Sequence, residues 1–251
     1  MANTDRASAP AVVRAVRILA FLAEYPHAQR LTAIASAVGI PVSSTAAICN
    51  ALEAERMIVR RNDGYVLGPL NVELAQRFLS QLQPLSMFAD VVADHKALRR
   101  ETVQMALLDG FDMLYVARRD SDQPFLISSA VGKRLPANCT AVGKASLGLL
   151  SPKERKVPKT MTSFTDRSIT DPKELAAAID EAAERGYAVD DEETSPGVMC
   201  LAVARKTSRN EVYGISATML KSRVTPQLRD IIVRDLSNTA DALFPPELKP
   251  A

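Results

Sequence analysis

The chain has 251 residues, 47% of them apolar, and a formal net charge of +2 at pH 7. That length exceeds one typical domain and predicts two, while no segment approaches the roughly 18 consecutive apolar residues of a membrane span. The charge is too small to hold nucleic acid unaided, so DNA binding would need directed arginine contacts and dimerisation.

The opening MANTDRASAP lacks the apolar stretch of a signal peptide, so a cytoplasmic location is expected. Three dispersed cysteines, Cys49, Cys139 and Cys200, fit a reducing compartment better than a disulfide framework. With two histidines, His27 and His95, and no CxxC pair, neither a zinc site nor a cofactor is expected. Residues 1–68 hold seven Arg, no Lys and five acids, and the signs balance in the remainder.

In chain order, Ala11 to Tyr25 reads as an amphipathic helix. Val12, Val16, Leu19 and Ala23 repeat at helical spacing, with Ile18 and Leu22 beside them and Arg14 and Arg17 on another face. Pro26 ends it. A second helix opens at Leu31-Thr32, with Thr32 as N-cap and Ile34, Ala35 and Val38 buried, and Gly39 supplies the turn. A third starts near Ser43 or Ser44, carries Ile48, Ala51 and Leu52 inward and runs to about Ala54. This is the helix-turn-helix pattern. Met57 to Leu67 then gives two short strands about Asn62-Asp63-Gly64, a hairpin turn signal, with Arg60 and Arg61 at its tip.

Three helices and a basic-tipped hairpin predict a winged helix-turn-helix over residues 1–68, its third helix in the major groove of double-stranded DNA. Arg14, Ser43, Ser44, Thr45, Arg60 and Arg61 are the candidate DNA contacts. Ser43 has a second reading as the N-cap, and the two arginines a second reading as a solvated edge pair. Asn50 is read as solvated. A protein-binding role for the whole module also stands open.

Residues 69–83 read as a linker helix, with Leu70, Leu74, Phe78 and Leu82 in one narrow stripe that needs a partner surface. It serves either as a signalling helix or as ordinary domain packing. Residues 84–251 form the second domain. A helix is expected over Leu85 to Arg100, with His95 as a structural or surface residue rather than a ligand, then strands at Thr102–Leu108, Met113–Arg119 and Phe125–Val131. Thr140 caps a helix from Ala141 to Leu150. Residues 158–170 are a Thr- and Ser-rich loop. Asp171-Pro172-Lys173-Glu174 opens a helix that closes at Gly186. Strands follow at 187–190, 198–206 and 212–218, and a last helix runs from Thr225-Pro226 to about Phe244. The order predicts an α+β domain with a largely antiparallel sheet.

Two stretches read as opposite sides of a small-molecule pocket: Gly132 to Ala145 and Gly186 to Ala204. Thr140 to Gly143 offers backbone N–H groups at a helix start, where the dipole favours an anion such as a carboxylate. Gly143 would allow close approach, and Lys144 either adds charge or points to water. Across the pocket, Cys200 would be a wall residue. Asp190 would accept from a ligand hydroxyl or belong to a solvated turn, and Asp191, Glu192 and Glu193 are read as that turn.

LPANCTAVGKA at 135–145 and GYAVDDEETSPGVMCLA at 186–202 resemble the two signatures of the isocitrate-lyase-regulator (IclR) family of bacterial transcription regulators, and the layout of 11–67 is similar too. The resemblance implies a winged helix joined by a linker helix to a GAF/PAS-like effector domain. It implies dimers, often paired into tetramers, on a palindromic operator of a catabolic operon. It also implies a small organic or aromatic acid as effector. Carried over by position, the effector-binding residues are Leu135, Ala141, Val142, Asp190, Val198, Cys200, Ser216 and Thr218, with Ile127 on the wall. The N–H groups of Ala141 and Val142 would hold the carboxylate. The chain departs from the family pattern at Asn138, often His, at Cys139, and at Ala47, often Arg. The first two are expected to retune ligand choice.

An enzyme reading would make Cys139 or Cys200 a nucleophile, but that chemistry wants a base within hydrogen-bond reach, and only His95 is at hand in the second domain. Asp190 to Glu193 are contiguous, so they do not form carboxylates facing one another across a cleft. The chain is therefore not expected to be an enzyme.

Overall fold

A computed structural model describes residues 9–82, 84–122 and 130–245. It divides into two compact units with the boundary between Gln81 and Leu82.

In the N-terminal unit, Pro10 opens helix α1 (Pro10–Ala23), since its fixed φ suits the first turn and its missing N–H costs nothing there. Helices α2 (Leu31–Val38) and α3 (Val42–Ala54) are separated by Gly39, whose φ of 71° closes α2 in the left-handed region. Strands β1 (Ile58–Arg61) and β2 (Gly64–Leu67) pair antiparallel with Arg61 opposite Gly64. The two-residue loop between them has Asn62 at φ 40°, the positive value such a hairpin requires. Ile18, Leu22, Ile34, Cys49, Ile58 and Tyr65 make the core.

Four local expectations need correction. Val12 and Val16 are 61% and 59% exposed and Ala23 is exposed too, so the buried line of α1 is Ile18 and Leu22. Ala51 is exposed, and α3 instead buries Thr45 and Cys49. Thr32 does not cap α2, which begins at Leu31 with Arg30 as its N-cap. Ser43 lies inside the first turn of α3, whose N-cap is Pro41. Helix α4 (Leu70–Ser80) buries no residue. It is tied to the wing by Asn71, whose Nδ2 donates to the carbonyls of Met57 at 2.7 Å and Gly68 at 2.9 Å.

The C-terminal unit is built on one six-stranded antiparallel sheet ordered β5-β4-β3-β8-β7-β6. Its strands are β3 (Thr102–Asp109), β4 (Asp112–Arg119), β5 (Arg134–Pro136), β6 (Ala188–Asp191), β7 (Val198–Lys206) and β8 (Val212–Leu220). The helix expected over Leu85 to Arg100 is instead α5 (Pro84–Ala93), a turn, and a short 3₁₀ stretch at Leu98–Arg100. The strand expected at Phe125–Val131 lies largely outside the described residues, and β5 is an additional short edge strand. Residues on both faces of β3, β7 and β8 are buried, as helices on either side of a sheet require.

Helix α6 (Ala141–Gly148) covers one face, and α7 (Pro172–Arg185) packs on α6 and β6. Helix α8 (Pro226–Leu243), beside α5, contacts β7 and β8 and covers the other face. Asp171 caps α7 by accepting from the N–H groups of Lys173 at 2.8 Å and Glu174 at 3.0 Å, and Gly186 at φ 80° ends it. A bulge in the β3–β4 ladder pairs Met105 with Ala117 but Ala106 with Tyr115, which puts Tyr115 on the same face as Ala106, under α6.

Candidate functional site

The N-terminal unit presents a helix and a basic hairpin. Ser43 is exposed at the start of α3 and Ser44 is half-buried, but Thr45 is 0% exposed and its hydroxyl donates to the Pro41 carbonyl at 3.1 Å. Thr45 therefore belongs to the core and is removed from the surface candidates. Arg60 is held within the unit. Its guanidinium donates to the Tyr65 hydroxyl at 2.6 Å and to Asn50 Oδ1 at 3.4 Å, and it lies 4.9 Å from the Tyr65 ring centroid and 3.6 Å from Glu53. Asn50 is thus a partner of Arg60 rather than merely solvated. Arg61 is exposed at the hairpin end, with no ion-pair partner among the described residues. Arg14 is half-buried on α1, and its buried Nε has no hydrogen-bond partner.

In the C-terminal unit, a cavity of about 580 Å³ opens between the sheet and α6. Eight of the nine residues expected there line it together: Leu135, Ala141, Val142, Asp190, Val198, Cys200, Ser216 and Thr218. The ninth, Ile127, lies outside the described residues. Sequence reasoning missed Gln104, Tyr115, Lys133 and Phe164, which line it as well. Gln104 had a signal, a polar residue at an inward position of a strand otherwise buried. Phe164 had none, since it sits in an aperiodic loop.

Thr140 caps α6 by accepting from the N–H of Gly143 at 3.1 Å, and its carbonyl takes the N–H of Lys144. The N–H groups of Ala141 and Val142 belong to the first turn, which has no intrahelical acceptors. None is found for them among the described residues. Gly143 serves packing rather than ligand approach. A Cβ there would stand 2.3 Å from the Ala137 backbone, so only glycine lets α6 lie against that segment.

Asp190 and Glu193 of the acidic turn are buried, while Asp191 and Glu192 stay partly exposed in ion pairs at its edge. Asp190 is 1% exposed. Its carboxylate accepts from the Glu193 N–H at 2.8 Å and the Thr194 hydroxyl at 2.6 Å. Burial pushes its carboxyl above the ordinary aspartate range, against the pull of those two donors. Lys144 neither faces the cavity nor points to water. It is buried and ion-paired with Glu193, also buried. Burial raises the Glu193 carboxyl to about 7, with the Lys144 charge as the opposing influence. Glu192 pairs with Lys221 and Arg167, and Arg167 also reaches Asp191 at 2.9 Å.

Asn138 and Cys139 are buried but do not line the cavity. Asn138 Nδ2 donates to the carbonyls of Thr162 at 2.9 Å and Ile169 at 2.7 Å, and the Cys139 thiol donates to Thr162 O at 3.1 Å. These two departures from the family pattern anchor the loop that carries Phe164, so their reach to a ligand is indirect. Burial raises the thiols of both Cys139 and Cys200, the opposite of an activated nucleophile. His95 Nδ1 lies 3.7 Å from Asp235. Among the described residues no group of three or more potential ligands is placed to hold a metal. No single helix there is long and apolar enough to cross a membrane.

Residues 78–244 match the family described as bacterial transcriptional regulator IclR C-terminal, and residues 11–62 match the IclR helix-turn-helix domain. The HTH-type transcriptional regulator XynR of Escherichia coli (strain K12) is 26% identical over 219 residues, covering 85% of this chain and 87% of that protein. The crystal structure of Thermotoga maritima IclR superposes with a TM-score of 0.67 at 26% identity, covering 92% of this chain and 98% of that one. An IclR homolog from Microbacterium hydrocarbonoxydans, solved in complex with 4-hydroxybenzoate, has a TM-score of 0.77 over 93% of this chain and 98% of that one. At 21% identity this last likeness speaks to the fold alone. With both units matched and nearly the whole length covered, the chain belongs to the IclR family of bacterial transcriptional regulators.

Proposed function

We propose that this regulator binds double-stranded operator DNA through α3 and the β1–β2 wing, and that a small organic or aromatic acid in the cavity governs that binding at a catabolic operon. The carrying observation is the pair of N–H groups at Ala141 and Val142. They open a helix on the cavity wall, where the helix dipole stabilises a carboxylate. Lys133 adds a cation to the same lining, and the 4-hydroxybenzoate bound by the Microbacterium homolog is an acid of this class. Leu135 and Val198 would pack on the ligand body, and Asp190, Cys200, Ser216 and Thr218 would meet it from the sheet side.

For DNA we propose Ser43 and Ser44 at the start of α3, Arg61 and Arg60 on the wing, and Arg14 from α1. We further propose a homodimer, pairing into tetramers on the operator. Val12 and Val16 on α1, and Val72, Leu74 and Phe78 on α4, are exposed apolar side chains that a second subunit would cover.

The test is a thermal-shift screen of the full chain against mono- and dicarboxylates and hydroxybenzoates, followed by gel shifts on genomic fragments with each hit. A ligand at a hundredfold excess over its dissociation constant adds about 2.7 kcal/mol to the folded state. A hit that also changes operator affinity is expected. A ligand that binds without moving operator affinity would sink the coupling, and salt-independent or absent retention of DNA would sink the DNA role.

A further inference from the structure

The sheet floor of the cavity is more polar than an aromatic ring requires. Strand register sets two polar rows side by side. Gln104 of β3 stands opposite Ser216 of β8, and Thr218 of β8 stands opposite Cys200 of β7, which in turn faces Asp190 of β6. All five line the cavity, and Tyr115 joins them from β4. Gln104, Ser216 and Thr218 are each 3% exposed or less, and Tyr115 is 5% exposed. The hydroxyls of Ser216 and Tyr115 have no hydrogen-bond partner among the described residues. Burial raises the Tyr115 hydroxyl above its ordinary range, so it remains a donor at neutral pH. Asp190 is already committed to Glu193 and Thr194, so it sets the turn and leaves the floor to neutral hydroxyl and amide groups.

A buried hydroxyl that meets a hydrocarbon edge loses its water and gains nothing, whereas one that meets a ligand hydroxyl both donates and accepts. Sites built to hydrogen-bond a hydroxyl reject analogues lacking it for this reason. From the rows Gln104–Ser216 and Thr218–Cys200, with Tyr115 beside them, we infer that the effector is a polyhydroxylated carboxylate of the aldonate type. Its carboxylate sits at the Ala141 and Val142 N–H groups and its hydroxyl-bearing chain lies along the sheet floor. This rests on the acid-effector reading above and narrows it. Room is sufficient, since about 580 Å³ lies within the usual range for small-molecule sites.

The experiment is a thermal-shift titration of the full chain with D-gluconate and D-ribonate against benzoate, 4-hydroxybenzoate and hexanoate, repeated with Ser216→Ala and Gln104→Leu. The expected result is a saturable rise in midpoint with an aldonate, larger than with any of the other three acids. The aldonate affinity should fall roughly tenfold or more in each variant, the size of one hydrogen bond. If benzoates or hexanoate stabilise the protein and aldonates do not, this inference is overturned while the acid-effector reading stands. If no acid shifts the midpoint, both are overturned. If an aldonate binds with unchanged affinity in both variants, the sheet floor is not its site. A variant that fails to melt cooperatively is replaced by Ser216→Gly or Gln104→Met, read by the same criterion.

Discussion

Replacing Glu193 by Gln should flatten the pH dependence of the C-terminal unit between pH 6 and pH 8. Glu193 and Lys144 are 7% and 3% exposed, so water screens neither. The ion pair would lower the Glu193 pKa if attraction dominated, yet the carboxyl stands at about 7 against an ordinary 4.5. Desolvation therefore outweighs the Lys144 charge, as is common for buried pairs. The folded state then binds this proton more tightly than the unfolded state does. The stability so contributed is full below about pH 4.5 and is lost as pH rises through about 7.

Between pH 6 and pH 8 the loss is about 1.3 kcal/mol, or roughly 3–5 °C in midpoint for a unit of this size. Glutamine keeps the shape and an acceptor for Lys144 but cannot ionise, so it removes that slope and costs little at pH 6. Leucine at the same position leaves Lys144 buried without an acceptor and should cost about 3–5 kcal/mol at either pH. The assay is thermal unfolding of the full chain at pH 6, 7 and 8, wild type beside both variants. Taking the difference between wild type and Gln cancels every contribution the two proteins share. A wild-type difference that survives in the Gln variant, or a Leu variant as stable as the Gln variant, would refute the reasoning.

Gly143→Ala should destabilise the C-terminal unit by several kcal/mol, whereas Gly214→Ala, whose new Cβ meets the Val142 side chain at 3.0 Å rather than backbone, should cost less; denaturant midpoints of the two variants decide it. Asn138→Ala should cost about 1–3 kcal/mol, because it removes the hydrogen bonds to the carbonyls of Thr162 and Ile169, and hydrogen exchange should show the 158–170 loop loosened. Arg61→Ala should weaken DNA binding across sequences and reduce the salt slope by about one, measured by titrations at several salt concentrations. Arg60→Ala should also lower the midpoint of the N-terminal unit, since it removes the bond to Tyr65, and an unchanged midpoint would contradict that structural role.

The correct local expectations share one property: each rests on residues a few positions apart. Asp171 followed by Pro172, Gly186 after the last turn, Thr140 before Ala141, and Asn62-Asp63 between two apolar runs all satisfy backbone groups in their own neighbourhood. Where several faces of one helix are apolar, that logic fails. Val12, Val16 and Ala23 repeat as regularly as Ile18 and Leu22, and only the position of α2 and α3 selects the second line. Thr45 looked like a surface hydroxyl because serines precede it, but the helix turns it inward, onto the Pro41 carbonyl.

The cavity was legible through family signatures rather than periodicity, and for that reason Ser216 and Thr218 were found while Gln104 and Tyr115 were not. Tyr115 reaches the cavity face by a bulge, which no alternation pattern announces. Lys144 and Glu193 are 49 positions apart and meet because α6 is laid across the sheet beside the turn after β6. By itself the sequence determined the caps at Thr140 and Asp171, the glycine stops at Gly39 and Gly186, the hairpin, the two-unit plan and the two stretches that bound the cavity, because local backbone chemistry dictates most of them. The tertiary structure alone decided which face of each helix is buried, which charges leave water as a pair, and which hydroxyls form the floor of the cavity. Burial and strand register come from contacts between segments far apart in the chain, and no single segment carries them.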